Sequence, residues 1–446
     1  MQRSFLYLNL PSVRHTMGVL LLAGLAGCSK SDILTPDTPD VITPEQLATP
    51  EGLAAVHAGA ISDLVAASTG VNGVVIYAGL FTDELMHAST PPAVREWDLR
   101  NVVATNAVLA AGNTVATPAG GPFLGIQRAR AALEIAASKL PPGDARTGEL
   151  YALAGLSYIL LGELWCSGTP ISEREPSVVL GSPLSTTELF DRSLAHLTSA
   201  GANSGGDSRI QQLTAVLRGR ALLNLGQYAA AATAVAAVAT DFSYDFLHGS
   251  PPSRQGNQVH LTTDTDIYSV SDREGVNGLN FATAADPRVP VRSTGPSRND
   301  GITPMYVALK YPAINSPVPM VTGIEARMIE AEAALQAGDP TTWLAKHNLV
   351  RATVTGLAPL TDPGTATGRV DLHFRERAFW FYLTAHRLGD LRRLVRQYGR
   401  AIESVYPTGA YHKQGLTRGT QATLRVPQVE QNNPNYDPAA CLVTQA

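Results

Sequence analysis

The stretch FRERAFWFYLTAHRLGDLRRLVRQYGR, residues 374–400, holds the strongest fold signal in the chain. If it forms one helix, four of its residues occupy neighbouring positions of one face: Phe379, Leu383, His386 and Asp390. Asp390 has Arg387 three residues before it and Arg393 three residues after it, a spacing that suits ion pairs along a helix. Taken alone, the stretch is interpreted as a structural helix whose charges are satisfied inside the protein.

Four stretches elsewhere share one helical pattern: residues 129–144, 149–165, 218–238 and 325–352. Each combines Ala or Gly, which let helices approach closely, with Leu at helical spacing and a Gly near a turn. In the third stretch, four residues resemble the end of the first helix of a tetratricopeptide repeat: Leu222, Leu225, Gly226 and Tyr228. The pattern predicts a mainly α fold of stacked helix pairs with little strand, although the irregular spacing indicates a degenerate repeat.

Composition excludes several functional classes. The chain has 446 residues and a net charge of −4, so nothing indicates nucleic acid as a partner. The sequence has no zinc-protease, phosphate-loop or hydrolase-elbow motif, and its ten histidines form no pair at ligand spacing on one helix. Gly206-Asp207-Ser208 superficially resembles a hydrolase nucleophile block, but a helix N-cap at Asp207 or Ser208 explains it. We therefore expect no enzyme, no metal and no cofactor.

The N-terminus predicts export and lipid attachment. Arg3 and Arg14 precede an apolar core that is too short for a membrane span, which needs about 20 residues. Leu25-Ala26-Gly27-Cys28 then matches the lipobox of bacterial lipoproteins. Residues 1–27 are therefore predicted to be a signal peptide, Cys28 to carry diacylglycerol and palmitate, and residues 28–50 to form a Pro-rich tether. An ordinary signal peptide with an incidental cysteine is the alternative. No further segment is expected to span a membrane.

Lipid on Cys28 leaves an even pair of cysteines, Cys166 and Cys441. An exported protein meets an oxidising compartment, which favours a disulfide between them. Two buried free thiols are the alternative.

Two regions, residues 71–106 and 242–321, interrupt the helical pattern. The second is long and rich in Pro, Gly, Asp and Ser, with short extended runs at best. Loops of this length on a helical scaffold usually carry function. Residues 51–446 are therefore predicted to form a single helical domain with a loop insertion at about 242–321.

Several short blocks, in order along the chain, resemble the SusD/RagB family of lipoproteins. Glu376-Arg377, His386-Arg387 and Asp390-Leu391-Arg392 are similar to the family's block near the C-terminus. Upstream blocks with similar counterparts are GLFTDEL (residues 79–85), Lys310-Tyr311 and IEARMIEAEAALQAGD (residues 324–339), and NNPNYDP (residues 432–438) follows near the end. Thr384-Ala385 stand where the family usually has Glu-Gly.

The resemblance implies a right-handed superhelical scaffold of tetratricopeptide-like helix pairs, anchored in the outer membrane and facing the cell exterior. It implies a binding protein that captures an oligosaccharide, or a peptide, and passes it to a SusC-type TonB-dependent transporter without covalent chemistry. The alternative is a structural helical-repeat lipoprotein that scaffolds envelope proteins and has no small ligand.

Sugar ligands need flat rings for stacking and polar side chains for their hydroxyl groups. Local composition of the two interrupted regions suggests eight ligand-binding candidates: Asp83, Arg95, Trp97, Asn101, Tyr268, Asn277, Asn280 and Tyr306. For the aromatic members, packing in the core is the competing interpretation.

Overall fold

The computed structural model describes residues 49–114, 117, 119–173, 177–250 and 256–446. Residues 54–446 form one compact unit, and of the preceding unit, Met1–Leu53, only residues 49–53 are described. The predicted signal peptide, the lipidation site at Cys28 and nearly all of the tether thus lie outside the described residues.

Helices dominate the described part of the chain. In order they are α1 (Pro50–Thr69), α2 (Val74–Phe81), α3 (Pro92–Asp98), α4 (Pro122–Lys139), α5 (Arg146–Leu164), α6 (Thr186–Ala202), α7 (Ser208–Asn224), α8 (Tyr228–Val235), α9 (Gln258–Asp264), α10 (Gly323–Gln336), α11 (Pro340–Arg351), α12 (Ala366–Trp380), α13 (Arg387–Arg396) and α14 (Ile402–Val405), followed by 3-10 turns at Gln428–Asn432 and Pro438–Ala440. The mainly α prediction is confirmed.

The described strands are short and form antiparallel pairs. They are β1 (Leu85–His87) with β5 (Tyr268–Val270), β2 (Thr169–Pro170) with β3 (Pro183–Leu184), β4 (Ser243–Phe246) with β8 (Val318–Thr322), and β6 (Val291–Pro296) with β7 (Pro304–Ala308). These pairs connect and brace the helices and build no sheet layer of their own.

Consecutive helices from α4 to α8 pack side by side, and α10 and α11 continue the row from α8. Small residues permit this, as the sequence predicts. At Gly162 in α5, an added Cβ would lie 2.9 Å from the ring of Phe190 in α6. At Gly219 in α7, a Cβ would collide with Val235 of α8 and crowd Ile329 of α10. Glycine at these positions therefore sets the distance between the helices.

The caps at helix ends follow the sequence. Asp207 caps α7, because its carboxylate accepts hydrogen bonds from the backbone N–H groups of Arg209 (2.7 Å) and Ile210 (3.3 Å). The helix-cap interpretation of Gly206-Asp207-Ser208 is confirmed. Ser185 and Glu188 form a reciprocal capping box at the start of α6.

One further segment is apolar enough to resemble a membrane span. By length and composition, Pro50–Phe81 would pass as a membrane span, yet 83% of its apolar window is buried inside the protein. Every residue of α2 is buried. The segment is apolar because its two helices contribute to the core of this domain, which is the usual reason for such a pattern in a buried helix.

The insertion at 242–321 is more ordered than its composition suggests. Its two ends pair with each other as β4 and β8, so the chain leaves and re-enters the helical scaffold at one place. Between them, β5 pairs with β1 outside the insertion, and β6 pairs with β7. Most residues of β6 are exposed, so its sequence lacks the alternating apolar pattern that predicts a strand.

Residues 374–400 belong to two helices rather than one. Helix α12 ends at Trp380 and α13 begins at Arg387. Between them, Leu383 and Ala385 have positive φ angles of 53° and 61°, which a continuous helix does not allow. Glu84 compensates for the break, because its Oε1 accepts the freed backbone N–H of Leu383 at 2.8 Å.

A polar core of buried ion pairs holds these helices together. Asp390 accepts from Arg377 and Arg393, whereas Arg387 turns away and binds Asp83 at 2.6 and 2.8 Å. The predicted Arg387–Asp390 pairing is therefore wrong, because Arg387 donates to Asp83 instead and Arg377 binds Asp390. Further acids join from α10: Glu332 binds Arg393 and His373, and Glu325 lies 3.3 Å from His386.

Candidate functional site

Asp83, a predicted ligand contact, belongs to the polar core. It is 1% exposed, and besides Arg387 it accepts the backbone N–H of Leu279 at 2.9 Å. Its acceptor groups are therefore used inside the protein, which leaves it no face for a ligand.

Trp97 and Tyr268 are also buried, at 0% and 4% exposure. Trp97 donates its indole N–H to Asn106 at 3.2 Å and packs against Tyr77 with ring centroids 4.8 Å apart. Their rings therefore fill the core in this structure and offer no stacking surface to a sugar. An aromatic residue among polar neighbours in the sequence indicates a loop but not the direction of its side chain.

The other five candidates do not converge on one cavity. Arg95 donates to Gln414 at 2.5 Å, and Asn277 donates to the backbone oxygens of Glu403 and Tyr406. Asn101 is exposed, and Asn280 and Tyr306 are half-buried. A shallow pocket of about 320 Å³ includes Asn277 and none of the other seven.

A larger cavity lies where sequence reasoning did not place one. This helix cleft has a volume of about 620 Å³ and lies between α4, α5, α6 and the segment that carries β2 and β3. Its lining residues are Arg130, Ala131, Glu134, Ile135, Ser138, Tyr151, Tyr158, Ile171, Glu173, Val179, Leu180, Gly181, Ser182, Leu184, Arg192 and His196.

Three rings form a stack along one side of the helix cleft. Tyr151 and Tyr158 are seven residues apart on α5 and therefore share a face. His196 of α6 lies against both, with centroid distances of 5.9 Å to Tyr151 and 5.2 Å to Tyr158. Tyr158 is buried, whereas Tyr151 and His196 are half-buried, so the outer part of the stack faces the cavity.

Glu134 places a fixed carboxylate beside that stack. Oε1 accepts the Tyr158 hydroxyl at 2.9 Å and lies 3.1 Å from His196 Nε2, while Oε2 accepts Arg130 at 2.5 Å. Burial raises the pKa of Glu134, but the His196 hydrogen bond and the Arg130 charge outweigh it and hold that pKa below its usual value. The group is thus an ionised acceptor with a set orientation, a quarter exposed to the cavity.

The remaining lining combines charge with apolar surface. Arg130 is buried and also donates to the backbone oxygen of Ser172 at 2.6 Å, which attaches the β2 segment to α4. Arg192 is exposed at the rim. Val179 and Leu180 are 53% and 44% exposed, so the rim opposite the helices is apolar. Ring faces, a fixed acceptor and an apolar rim suit a polyhydroxylated ligand with C–H faces.

Comparison with solved structures identifies the architecture. A SusD superfamily protein from Bacteroides thetaiotaomicron VPI-5482 superposes with a TM-score of 0.61 at 14% identity, covering 86% of this chain and 99% of that one. NanU from B. fragilis superposes at 0.61 with 15% identity, covering 90% and 98%. The chain has the SusD-like fold.

A SusD-like carbohydrate binding protein from Bacteroides vulgatus ATCC 8482 also superposes, with a TM-score of 0.54 at 14% identity over 76% of this chain and 82% of that one. No protein-family model matches the chain, and no curated protein matches it. The resemblance that the short blocks suggest is therefore confirmed for the fold.

Most blocks that carry the resemblance to the SusD-like fold lie in the polar core. Asp83 and Glu84 of the first block bind the block that spans residues 376–392, through Arg387 and the backbone of Leu383. Glu325 and Glu332 of the helix block reach His386 and Arg393. These residues maintain the SusD-like fold, and they lie outside the helix cleft.

One side-chain group in the described residues has metal-ligand spacing: Asp98, Glu274 and His412, whose ligand atoms lie within 4.8 Å of one another. Arg418 already binds both carboxylates, and it is fully buried there. Burial and the neighbouring Asp98 raise the pKa of Glu274 well above its usual value despite the Arg418 charge. The positive charge of Arg418 and the protonated Glu274 both disfavour binding of a metal cation. The group is therefore better explained as an internal ion pair than as a metal site.

Sequence signals for the helix cleft existed but were weak. Tyr151 and Tyr158 are seven residues apart in a helix whose other residues are typical of a protein core. Glu134 is the one acidic residue in the apolar stretch 129–137. His196 was one of ten scattered histidines. Their convergence depends on the packing of three helices, which no local pattern contains.

Proposed function

We propose that this protein is a SusD-like nutrient-binding lipoprotein that captures an oligosaccharide in the helix cleft. The observation that carries the proposal is the combination of the Tyr151–His196–Tyr158 stack with the fixed Glu134 carboxylate. The fold supports it, because one of the superposed proteins is itself described as carbohydrate binding.

Binding uses two kinds of contact. The half-buried ring of Tyr151 offers its face to the C–H groups of a sugar ring, and Glu134 accepts hydrogen bonds from hydroxyl groups. Arg192 donates from the rim. Because its pKa is lowered, Glu134 stays ionised near neutral pH and is unsuited to act as a general acid. The cleft is therefore proposed to bind without cleaving.

The location and the transport partner rest on the sequence. Lipid on Cys28 would hold the protein at the outer membrane with the domain on the exterior side. We propose that it acts there as the lid of a SusC-type TonB-dependent transporter, to which the captured oligosaccharide passes.

Affinity electrophoresis of a form lacking residues 1–28 tests the proposal. Soluble starch, xylan, pectin, mannan and mucin O-glycans are cast into separate gels, and retardation measures binding. We expect one or more of them to retard the protein, and Tyr151→Ala to weaken that binding about threefold to tenfold, since an aromatic contact contributes roughly 0.5–1.5 kcal/mol.

Tyr306→Ala is the matched control, because Tyr306 is also a half-buried tyrosine but lies outside the helix cleft. It should keep the affinity of the unchanged protein. Weaker binding by Tyr306→Ala together with full binding by Tyr151→Ala would indicate that the ligand site lies in the insertion. No retardation by any of the five glycans would contradict oligosaccharide capture and favour the scaffold alternative.

A further inference from the structure

Part of the helix cleft is a segment that is held mainly by hydrogen bonds rather than by apolar packing. Residues 177–184, called the cleft wall, follow the end of β2 and run into β3. They contribute Val179, Leu180 and Leu184 to the lining. Two backbone bonds join Glu173 and Val179 at 3.0 Å, and the N–H of Gly181 donates to Ser172 Oγ at 3.1 Å. Since Val179 and Leu180 are largely exposed, little apolar burial holds this wall in place.

The C-terminal tail supplies two further hydrogen bonds to the wall. Asn433 Nδ2 donates to the backbone oxygen of Gly181 at 2.9 Å, and Asn435 Nδ2 donates to that of Leu180 at 2.7 Å. Asn433 Oδ1 in turn accepts the backbone N–H of Asn435 at 2.9 Å, so the two side chains are oriented together. Asn433 is 5% exposed, which makes its bond the better shielded of the two.

The tail is fixed at a second point a few residues further on. Cys441 is joined to Cys166 in a disulfide that lies just after α5. The wall also approaches the preceding chain closely at Gly181, because any Cβ there would collide with the backbone oxygen of Ile171. Moving the tail would therefore pull on the wall at Leu180 and Gly181.

We propose that the C-terminal tail positions the cleft wall: Asn433 and Asn435 hold its carbonyl groups, the Cys166–Cys441 disulfide anchors the tail, and the ligand affinity of the helix cleft depends on both. Neither asparagine touches the cleft itself, so both are positioning residues. The effect on affinity rests on the proposed oligosaccharide site, whereas the effect on the wall does not.

Asn435→Ala and Asn432→Ala form a matched pair that tests this. Both asparagines are exposed and three residues apart, but Asn432 makes no side-chain hydrogen bond to the wall. Hydrogen exchange is measured at the amides of Val179 and Gly181. We expect Asn435→Ala to speed both about twofold to tenfold, the factor for one net hydrogen bond, and Asn432→Ala to leave them unchanged.

Asn435→Asp separates donation from packing, because it keeps the side-chain size and removes the donor. It should speed exchange at least as much as Asn435→Ala does, because its carboxylate and the Leu180 carbonyl oxygen repel each other. Cys441→Ser should speed the same amides, while unchanged exchange of the α4 and α6 amides shows that the scaffold is intact. Unchanged exchange at Val179 and Gly181 in Asn435→Ala would overturn the proposal.

Binding is followed with the same proteins in gels containing soluble starch, xylan or pectin. Weaker retardation of Asn435→Ala than of Asn432→Ala is expected. Faster exchange with unchanged retardation would overturn the link between wall and affinity. If none of the three glycans retards the unchanged protein, the proposed ligand class fails for them, and the exchange data still decide whether the tail positions the wall.

Discussion

Asp390→Asn should be one of the most damaging conservative substitutions in this protein. Asp390 accepts two hydrogen bonds from Arg377, both at 2.9 Å, and one from Arg393 at 2.8 Å. The three side chains are 2–4% exposed. The asparagine keeps the shape of the side chain and removes the negative charge that compensates both guanidinium groups.

The expected loss in the free energy of unfolding depends on which partners each arginine keeps after the substitution. Arg393 keeps Glu332 as a partner, but no second ion pair of Arg377 exists among the described residues, and its Nη1 already lacks a hydrogen-bond partner. One buried guanidinium is therefore left uncompensated. Removing one member of a buried ion pair costs about 3–5 kcal/mol, a large share of the roughly 5–15 kcal/mol that stabilises a typical domain.

Urea unfolding followed by circular dichroism gives the free energy of unfolding, and Asp371→Asn is the control. Asp371 is on the neighbouring helix α12 and also pairs with an arginine, Arg400 at 2.6 Å, but its side chain is 62% exposed. The exposed pair should contribute about 1 kcal/mol or less. Equal losses for the two variants, or a loss below about 1 kcal/mol for Asp390→Asn, would refute the view that the polar core holds α12 and α13 together.

The same ion pairs predict a pH dependence. Burial alone raises the pKa of Asp390, but the charges of Arg377 and Arg393 outweigh it and lower that pKa well below its usual value. A carboxyl with a lowered pKa in the folded state stabilises the protein above the unfolded pKa of about 4, and that stability is lost as the pH falls below it. Asp390→Asn should therefore lose less stability than the unchanged protein between about pH 4 and pH 2.

Three further outcomes are expected. Cys28→Ser should move the protein from the membrane fraction to the soluble fraction, and unchanged membrane association would contradict lipidation at that residue. A non-reducing peptide map should contain a Cys166–Cys441 cross-link that disappears on reduction, whereas alkylation of both thiols without reduction would exclude it. Burial and the neighbouring His373 lower the pKa of His347, whose Nε2 lies 3.0 Å from His373 Nδ1, so the neutral pair stabilises the fold above about pH 6.5 and less so below it. The urea midpoint of His347→Gln should decrease less between pH 7 and pH 5 than that of the unchanged protein. An equal decrease in both proteins would show that other groups cause it.

Local patterns in the sequence were sufficient to predict the helices and how closely they pack. Leucine periodicity and small residues predicted the paired helices, and the packing of Gly162 on Phe190 and of Gly219 on Val235 bears this out. The cap at Asp207 was equally local, because a capping side chain bonds to amides within three residues of itself.

Features that depend on distant contacts could not be predicted in this way. The pattern of residues 374–400 is continuous, yet the helix is broken, and the freed backbone N–H of Leu383 is accepted by Glu84, about 300 residues earlier in the chain. Likewise, β6 and β7 are strands by virtue of pairing with each other, since the exposed residues of β6 carry no alternating signal. Conformations of this kind are stabilised only by contacts between distant parts of the folded chain.

The same distinction explains why the resemblance predicts the fold and does not predict a ligand site. The blocks that resemble the SusD-like proteins supply Asp83, Glu84, Glu325, Glu332 and Asp390, and all five side chains are buried in the polar core. A block of this kind constrains how helices pack, so it is informative about architecture. The residues of the helix cleft lie outside every block, and the NNPNYDP tail alone reaches its wall, through Asn433 and Asn435. Two proteins could therefore share all the core blocks and differ at the cleft, which is why the proposed ligand has to be tested there.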